Sequence, residues 1–316
     1  MSSENDEIKV EFRKVASPAN LSRESDVQVA QSPPEQKAMP VGDSERSEAE
    51  TIRWLKSLDT HFVFFFGKYK SGKSVILASL LRSLRHGGGK GEFHPNIEKP
   101  FDRGAVLVSD LEGYMDDNRF PPRTKQGNVI CVNGEFTPND QRFADLDITF
   151  LEMSGEDLTE VAIQHDSVGS LPSHIDVYLK ADGLPIVFIL VSPWMEAAQD
   201  DKVIAQFLDY VKAASPKGHS ANSRMFLLIT QWDTYKGQAT ALEFAKANMK
   251  KTYNAIRSFR NIVNEYSVGR VVAVDKQPYI DPFNDEYPSR LWNQIYMTFT
   301  GRDLMKKSFF QWLFGK

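Results

Sequence analysis

His61 to Phe66 is an unbroken apolar and aromatic run, and it leads straight into Gly67-Lys68-Tyr69-Lys70-Ser71-Gly72-Lys73-Ser74. Val75 to Arg85 follows, with Val75, Ile76, Leu77, Leu80, Leu81 and Leu84 at helical spacing. A short apolar run with no polar alternation suits a strand buried on both faces. The order is therefore strand, glycine loop, helix. Gly67 and Gly72 permit a tight path, and the loop fits G-x4-G-K-[ST]. Backbone N–H groups at such a helix start are without intrahelical partners and favour a bound anion. The loop is thus predicted to hold phosphate, with Lys73 on the outer phosphates and Ser74 on Mg2+. A chance match in a glycine loop is the plain alternative, and the flanks argue against it.

From about Glu50 the chain alternates between β and α patterns. Asn128 to Val132, Asp147 to Glu152, Pro185 to Val191, Arg224 to Thr230 and Arg270 to Val274 read as strands, and Ala105 to Ser109 is a further short apolar run. Val203, Ile204, Phe207, Leu208 and Val211 lie at helical spacing. So do Phe244, Ala245, Met249, Tyr253, Ile256 and Phe259. The expected fold class is α/β, a mostly parallel sheet with helices on both faces. Ligands of such sheets sit beyond the carboxyl ends of the strands, where the glycine loop lies.

The expected organisation has three parts. Residues 1–48 form an acidic tail, poor in apolar residues, that does not fold alone. Residues 49–301 form the nucleotide-binding body, with an inserted subdomain or lid over about 85–120. Residues 302–316 form an aromatic C-terminal helix that packs on the body or touches a membrane surface or partner groove.

Composition removes several classes. The single cysteine, Cys131, excludes a disulfide framework and a cysteine-rich zinc site, and points to a reducing cytoplasm. Cys131 sits in an apolar run and reads as a small core residue. A net charge of −4 gives no footprint for nucleic acid. Neither a membrane span nor a secretory signal is expected.

Two further loops refine the ligand. Glu152-Met153-Ser154-Gly155-Glu156-Asp157 follows the strand Ile148 to Leu151 and places an acid beside the phosphate loop, with Gly155 three residues on. Thr230-Gln231-Trp232-Asp233 follows another strand. A carboxylate at Asp233 can accept the paired donors on the guanine edge, which adenine lacks. The plain alternatives are a strand-end carboxylate for Glu152, a loop residue for Thr124, and a helix cap or turn residue for Asp233.

Over roughly residues 58–300 the chain resembles P-loop GTPases of the Ras-like, translation-factor-related class. The phosphate loop matches fully. Glu152-Met153-Ser154-Gly155 resembles D-x-x-G with Glu for Asp, and Thr230-Gln231-Trp232-Asp233 resembles [NT]-K-x-D with Gln for Lys. Pro121-Pro122-Arg123-Thr124 supplies the candidate switch threonine. The last guanine loop, S-A-[KL], has no clear counterpart, since Asp275-Lys276-Gln277 occupies its place. The combination is most similar to divergent bacterial GTPases of conflict and signalling systems.

The resemblance implies a Ras-like G domain with an insertion after the first helix. It implies a GTP-hydrolysing switch using Mg2+, held by Ser74, Thr124 and Glu152. Nucleotide contacts would come from Gly67, Lys68, Tyr69, Lys70, Ser71, Gly72, Lys73, Ser74, Gly155, Thr230, Gln231 and Asp233. Lys73, Thr124 and Glu156 would be catalytic. Glu156 stands where the family often has a water-positioning glutamine, so turnover is expected to be slow without a partner. Arg119, Arg123 and Lys70 are candidate cations in cis, or members of a solvated basic face. The implied partners are GTP or GDP and an effector or activating protein. A P-loop ATPase and a nucleotide-binding scaffold with negligible turnover are the alternatives.

Overall fold

The structure, a computed structural model, describes residues 47–98, 100–117, 119–122, 124, 129–157, 171–214, 224–257, 271–274, 277–280 and 286–306. The expected N-terminal tail therefore lies almost wholly outside the described residues, as do Arg123 and residues 307–316 of the expected C-terminal helix.

The described body opens with α1 (Glu48–Ser57), whose start is fixed by a capping box between Ser47 and Glu50. Then come β1 (His61–Phe66), α2 (Lys73–Arg85), β2 (Gly91–Pro95), α3 (Asp102–Asp116), β3 (Val129–Pro138) and β4 (Leu146–Met153). Further along lie α4 (Ser173–Lys180), β5 (Ile186–Pro193), α5 (Ala197–Ala214), β6 (Arg224–Thr230), α6 (Ala241–Asn248) and α7 (Lys250–Arg257). The chain continues with β7 (Val271–Val274), β8 (Gln277–Ile280) and α8 (Glu286–Thr300).

The main sheet has six strands in the order β2-β3-β4-β1-β5-β6. β4, β1, β5 and β6 run parallel, while β3 is antiparallel to both β2 and β4. Strand alternation divides the core into two layers. Phe62, Phe64 and Phe66 of β1 face Ile175, Ile204, Phe207, Phe244 and Ile256 from α4 to α7. Val63 and Phe65 face Leu77, Leu81, Leu107, Leu111, Trp292 and Ile295 from α2, α3 and α8. Helices therefore cover both faces, and each fully buried large apolar side chain contributes roughly 1.5–3 kcal/mol. Cys131 packs against the first layer, and burial pushes its thiol upward, as suits a core residue.

Two readings of the sequence change, and one short apolar run that carried no assignment finds its element. Ala105 to Ser109 belongs to helix α3. The strand expected at Arg270 to Val274 does not join the main sheet; β7 pairs antiparallel with β8 in a separate two-stranded sheet. The single helix expected from Phe244 to Phe259 is broken at Met249 into α6 and α7. The stretch 85–120, expected as an insertion, contains β2 and α3, and β2 is the edge strand of the main sheet.

Candidate functional site

The parallel register brings the carboxyl ends of β1, β4, β5 and β6 to one edge of the sheet. Phe65 is level with Glu152, Phe66 with Leu190, and Pro193 with Thr230. The loop Gly67–Gly72 leaves β1 at this edge and enters α2. Gly72 caps α2 at φ +98, a backbone conformation natural to glycine. Lys70 sits in the left-handed region at φ +63, where a side chain costs about 1–2 kcal/mol. Tyr69 and Lys70 are exposed, and the Lys70 ammonium lies over the Tyr69 ring at 5.3 Å from its centre.

Lys73 is buried, and its ammonium donates to the carbonyls of Gly67 at 2.7 Å and Lys68 at 3.1 Å. Burial lowers its pKa from the usual 10.5, against the opposing pull of Glu152 and Asp200.

Glu152 reaches the start of α2 because of strand parity. Ile148 and Phe150 of β4 face the α2 layer, so Glu152 does too, while Leu151 and Met153 face the other layer. Ser74 Oγ donates to Glu152 Oε1 at 2.6 Å, and Thr124 Oγ1 donates to the same oxygen at 3.3 Å. Glu152 is 1% exposed, and burial raises its pKa despite Lys73, Ser74 and Thr124. For Lys73 and Glu152 alike, desolvation outweighs their mutual attraction. Glu152 Oε2 and Ser71 Oγ are buried with no hydrogen-bond partner among the described residues.

Gly155 lies against the loop: a Cβ there would come within 2.1 Å of Tyr69 N. Glu156 is half-buried, and its N–H donates to Ser154 Oγ at 3.2 Å. Thr230 Oγ1 donates to the Ser71 carbonyl at 2.7 Å, tying the end of β6 to the glycine loop. Gln231 adopts a left-handed conformation at φ +56 and starts the 3-10 turn Trp232–Thr234. Asp233 lies in this turn, and its side chain is outside the described part of the structure.

The structure thus gathers Lys73, Ser74, Glu152 and Thr124 into one cluster, with Gly155 and Thr230 touching the loop beside it. Arg119 is exposed and paired with Asp117. Two groups had escaped the sequence reading. Asp200 of α5 lies 2.7 Å from the Lys68 ammonium as an ion pair, and Trp194, Trp232, Tyr235 and Phe244 form an aromatic cluster around the Thr-Gln-Trp-Asp loop. Asp200 sits in a helix of mixed charge and carries no local motif. The aromatic cluster was foreshadowed only by the rings already present in its two loops.

Among the described residues, no cage of three or more His, Cys, Asp or Glu side chains is assembled. The oxygens of Ser74, Thr124 and Glu152 instead make a partial, hard-oxygen set, and the buried unpartnered Oε2 is chemically suited to Mg2+, which keeps several waters. Among the described residues, no helix is long and apolar enough to cross a membrane.

No family model matches the chain. No curated protein matches it either. Solved structures do. A dimerization-deficient mutant of Toc33 from Arabidopsis thaliana is 14% identical with TM-score 0.41, covering 81% of this chain and 93% of that one. The signal recognition particle receptor SRb-GTP/SRX complex from Chaetomium thermophilum is 13% identical with TM-score 0.39, covering 76% and 98%. The small GTPase Arl6 BBS3 from Trypanosoma brucei, with a bound nucleotide analogue, is 11% identical with TM-score 0.39, covering 75% and 97%.

Proposed function

We propose that the chain binds GTP with Mg2+, hydrolyses it slowly, and acts as a molecular switch on a partner protein. The observation that carries this reading is the meeting of two hydroxyls, Ser74 and Thr124, on one buried oxygen of Glu152 beside the phosphate loop. Together with the unpartnered Oε2 of Glu152, these two hydroxyls make the kind of hard-oxygen set that Mg2+ takes.

In this reading Ser74 and Thr124 hold Mg2+, and Glu152 acts on its shell. When bound, the cation neutralises charge on the phosphate oxygens. The amides of Gly67 to Ser74 and the start of α2 bind the phosphates. Lys73 gives up the carbonyls of Gly67 and Lys68 to meet phosphate oxygen. Thr124 and Gly155 contact the terminal phosphate, so the loops that carry them are ordered before hydrolysis and released after it. Glu156 orients water poorly because its charge faces a phosphate, which makes turnover slow. A partner arginine would add about 10^3–10^5-fold. Asp233, with Thr230 and Gln231 placing its loop, selects guanine. The replacement of Asp and Lys by Glu152 and Gln231 supports the narrower likeness to bacterial conflict and signalling GTPases, acting in the cytoplasm, with residues 302–316 available for a partner or membrane surface.

The test is a titration with GTP, GDP and ATP in Mg2+, together with phosphate release. Lys73→Ala should abolish both tight binding and turnover, and Asp233→Asn should relax the choice of guanine. Unchanged GTP affinity and turnover in Lys73→Ala would sink the reading. Preference for ATP would convert it to an ATPase, and binding without phosphate release, even with partners, to a scaffold.

A further inference from the structure

We propose that Lys68 serves the phosphate loop as a counter-charge: its ammonium neutralises the buried Asp200 carboxylate on the α5 side, which would otherwise repel phosphate. The inference rests on the nucleotide-binding reading above and concerns a pairing with a residue outside the motifs that led to it.

Three observations converge. Asp200 is 1% exposed, and its Oδ1 lies 2.7 Å from Lys68 Nζ. Its other oxygen, Oδ2, accepts from the buried hydroxyl of Ser192 at 2.8 Å. The carbonyl of Lys68 in turn accepts from the Lys73 ammonium at 3.1 Å. One residue therefore offers its side chain to Asp200 and its backbone to Lys73. Asp200 is also near enough to act electrostatically on Lys73.

The two layers of the core explain the arrangement. Ser192 belongs to the same face of β5 as Phe188 and Leu190, which point to the α5 layer. Lys73 opens α2 on the opposite layer. The loop bridges the two, anchored by Lys68 to α5 and by Lys73 to its own carbonyls. A buried carboxylate beside an anion site would repel phosphate and would be costly if unpaired. Lys68 cancels that charge. Asp200 in return keeps the Lys68 ammonium fixed at its own carboxylate, and Lys73 is left as the buried loop cation placed for phosphate.

This makes an asymmetric prediction. Removing Lys68 leaves a naked anion next to the phosphates, whereas removing Asp200 leaves a surplus cation. The full chain, its Lys68→Met and Asp200→Asn variants and the double variant are titrated with a non-hydrolysable GTP analogue in Mg2+, and their melting temperatures are recorded. Lys68→Met should bind about ten-fold more weakly or worse, since stranding one member of a buried charge pair is strongly penalised. Asp200→Asn should bind as tightly as wild type or more so. The double variant should recover most of the loss. If Lys68→Met does not fold, the comparison moves to the D200N background, where removing Lys68 should cost less than about three-fold because no buried anion remains.

Equal losses in the two single variants would overturn the proposal, since that is the behaviour of a purely structural staple. So would a ten-fold loss on removing Lys68 in the D200N background. Wild-type protein that binds no nucleotide would instead overturn the underlying switch reading, and this inference with it.

Discussion

Gly155 occupies a position where only a hydrogen fits. A Cβ there would stand 2.1 Å from Tyr69 N, 2.4 Å from the Lys68 carbonyl carbon and 2.7 Å from Tyr69 Cα. All three are backbone atoms, so no side chain can swing aside to make room. Gly155→Ala must push the loop after β4 away from the phosphate loop. Under the proposed mechanism Lys73 and the loop amides still bind nucleotide, but the terminal-phosphate contact is misplaced. Turnover should fall by about 10- to 100-fold, the scale of a misplacement near 1 Å, while affinity for GDP changes little. Phosphate release and GDP titration read the two effects separately, and wild-type turnover in this variant would remove Gly155 from the mechanism. Gly155 was legible in the sequence because its spacing from Glu152 is local. The same holds for the Gly67–Ser74 loop. Thr124 is marked in the sequence only by its place ahead of a strand and by the family resemblance, which groups it with Glu152; the direct contact between them, across 28 positions, comes from the fold. Asp200 was illegible, because its meaning comes from α5 packing against the loop and from no pattern in its own neighbourhood.

At the scale of elements, the break between α6 and α7 shows how a distant residue overrides a helical pattern. The apolar spacing from Phe244 to Ile256 is continuous, and nothing in it asks for a stop. The N-terminal amides of α7 are capped from another helix: Asp201 of α5 accepts from Lys251 N at 3.1 Å and Thr252 N at 2.7 Å. Thr252 Oγ1 donates back to the Asp201 carbonyl at 3.0 Å. A carboxylate at a helix start satisfies amides that otherwise have no partner and complements the helix dipole. Neighbouring residues of α5 thus do different work, Asp200 toward the phosphate loop and Asp201 toward α7. Asp201→Ala should destabilise the protein by about 1–2 kcal/mol, the usual loss for a helix cap, and Asp201→Asn by less. Urea denaturation measures both, and a loss within error for Asp201→Ala would show that α7 does not depend on this cap. The strands of the main sheet were far easier to read, since continuous runs such as Ile186 to Val191 are buried on both faces and leave little ambiguity. Val271 to Val274 reads correctly as a strand, but its pattern does not say which strand it pairs with, and it pairs with β8 outside the main sheet. The segment from Ala105 to Ser109 was too short for its apolar residues to distinguish a strand from the middle of α3.

At the scale of the whole molecule, the site depends on β4 being held against α2, and the brace for that is α8. Trp292 is fully buried, meets Phe136 of β3 edge-on at 4.6 Å between ring centres and lies 6.3 Å from Phe150 of β4. Phe150 shares a strand face with Glu152, two residues on, so the ring that packs on Trp292 and the carboxylate that meets Ser74 belong to the same row. Tyr296, one turn along α8, adds a hydrogen bond to the Ala144 carbonyl at 2.7 Å, just before β4 begins. The helix near the end of the described chain therefore fixes the strand that carries the acid of the site. Truncating Trp292 to Ala opens a cavity within the α2–α3–α8 layer and should cost about 3–5 kcal/mol, the range for losing a large buried aromatic. Trp292→Phe keeps most of the ring and should cost less than half as much. The consequence for the site should separate from the loss of stability: at a temperature where Trp292→Ala remains folded, loosening β4 should weaken Mg2+-dependent binding of a GTP analogue more than binding of GDP without Mg2+. Thermal unfolding together with the two titrations reads this difference. A variant that loses stability but keeps the wild-type ratio of the two affinities would show that β4 is held by its neighbours β1 and β3 alone, and that α8 stabilises the body without reaching the site.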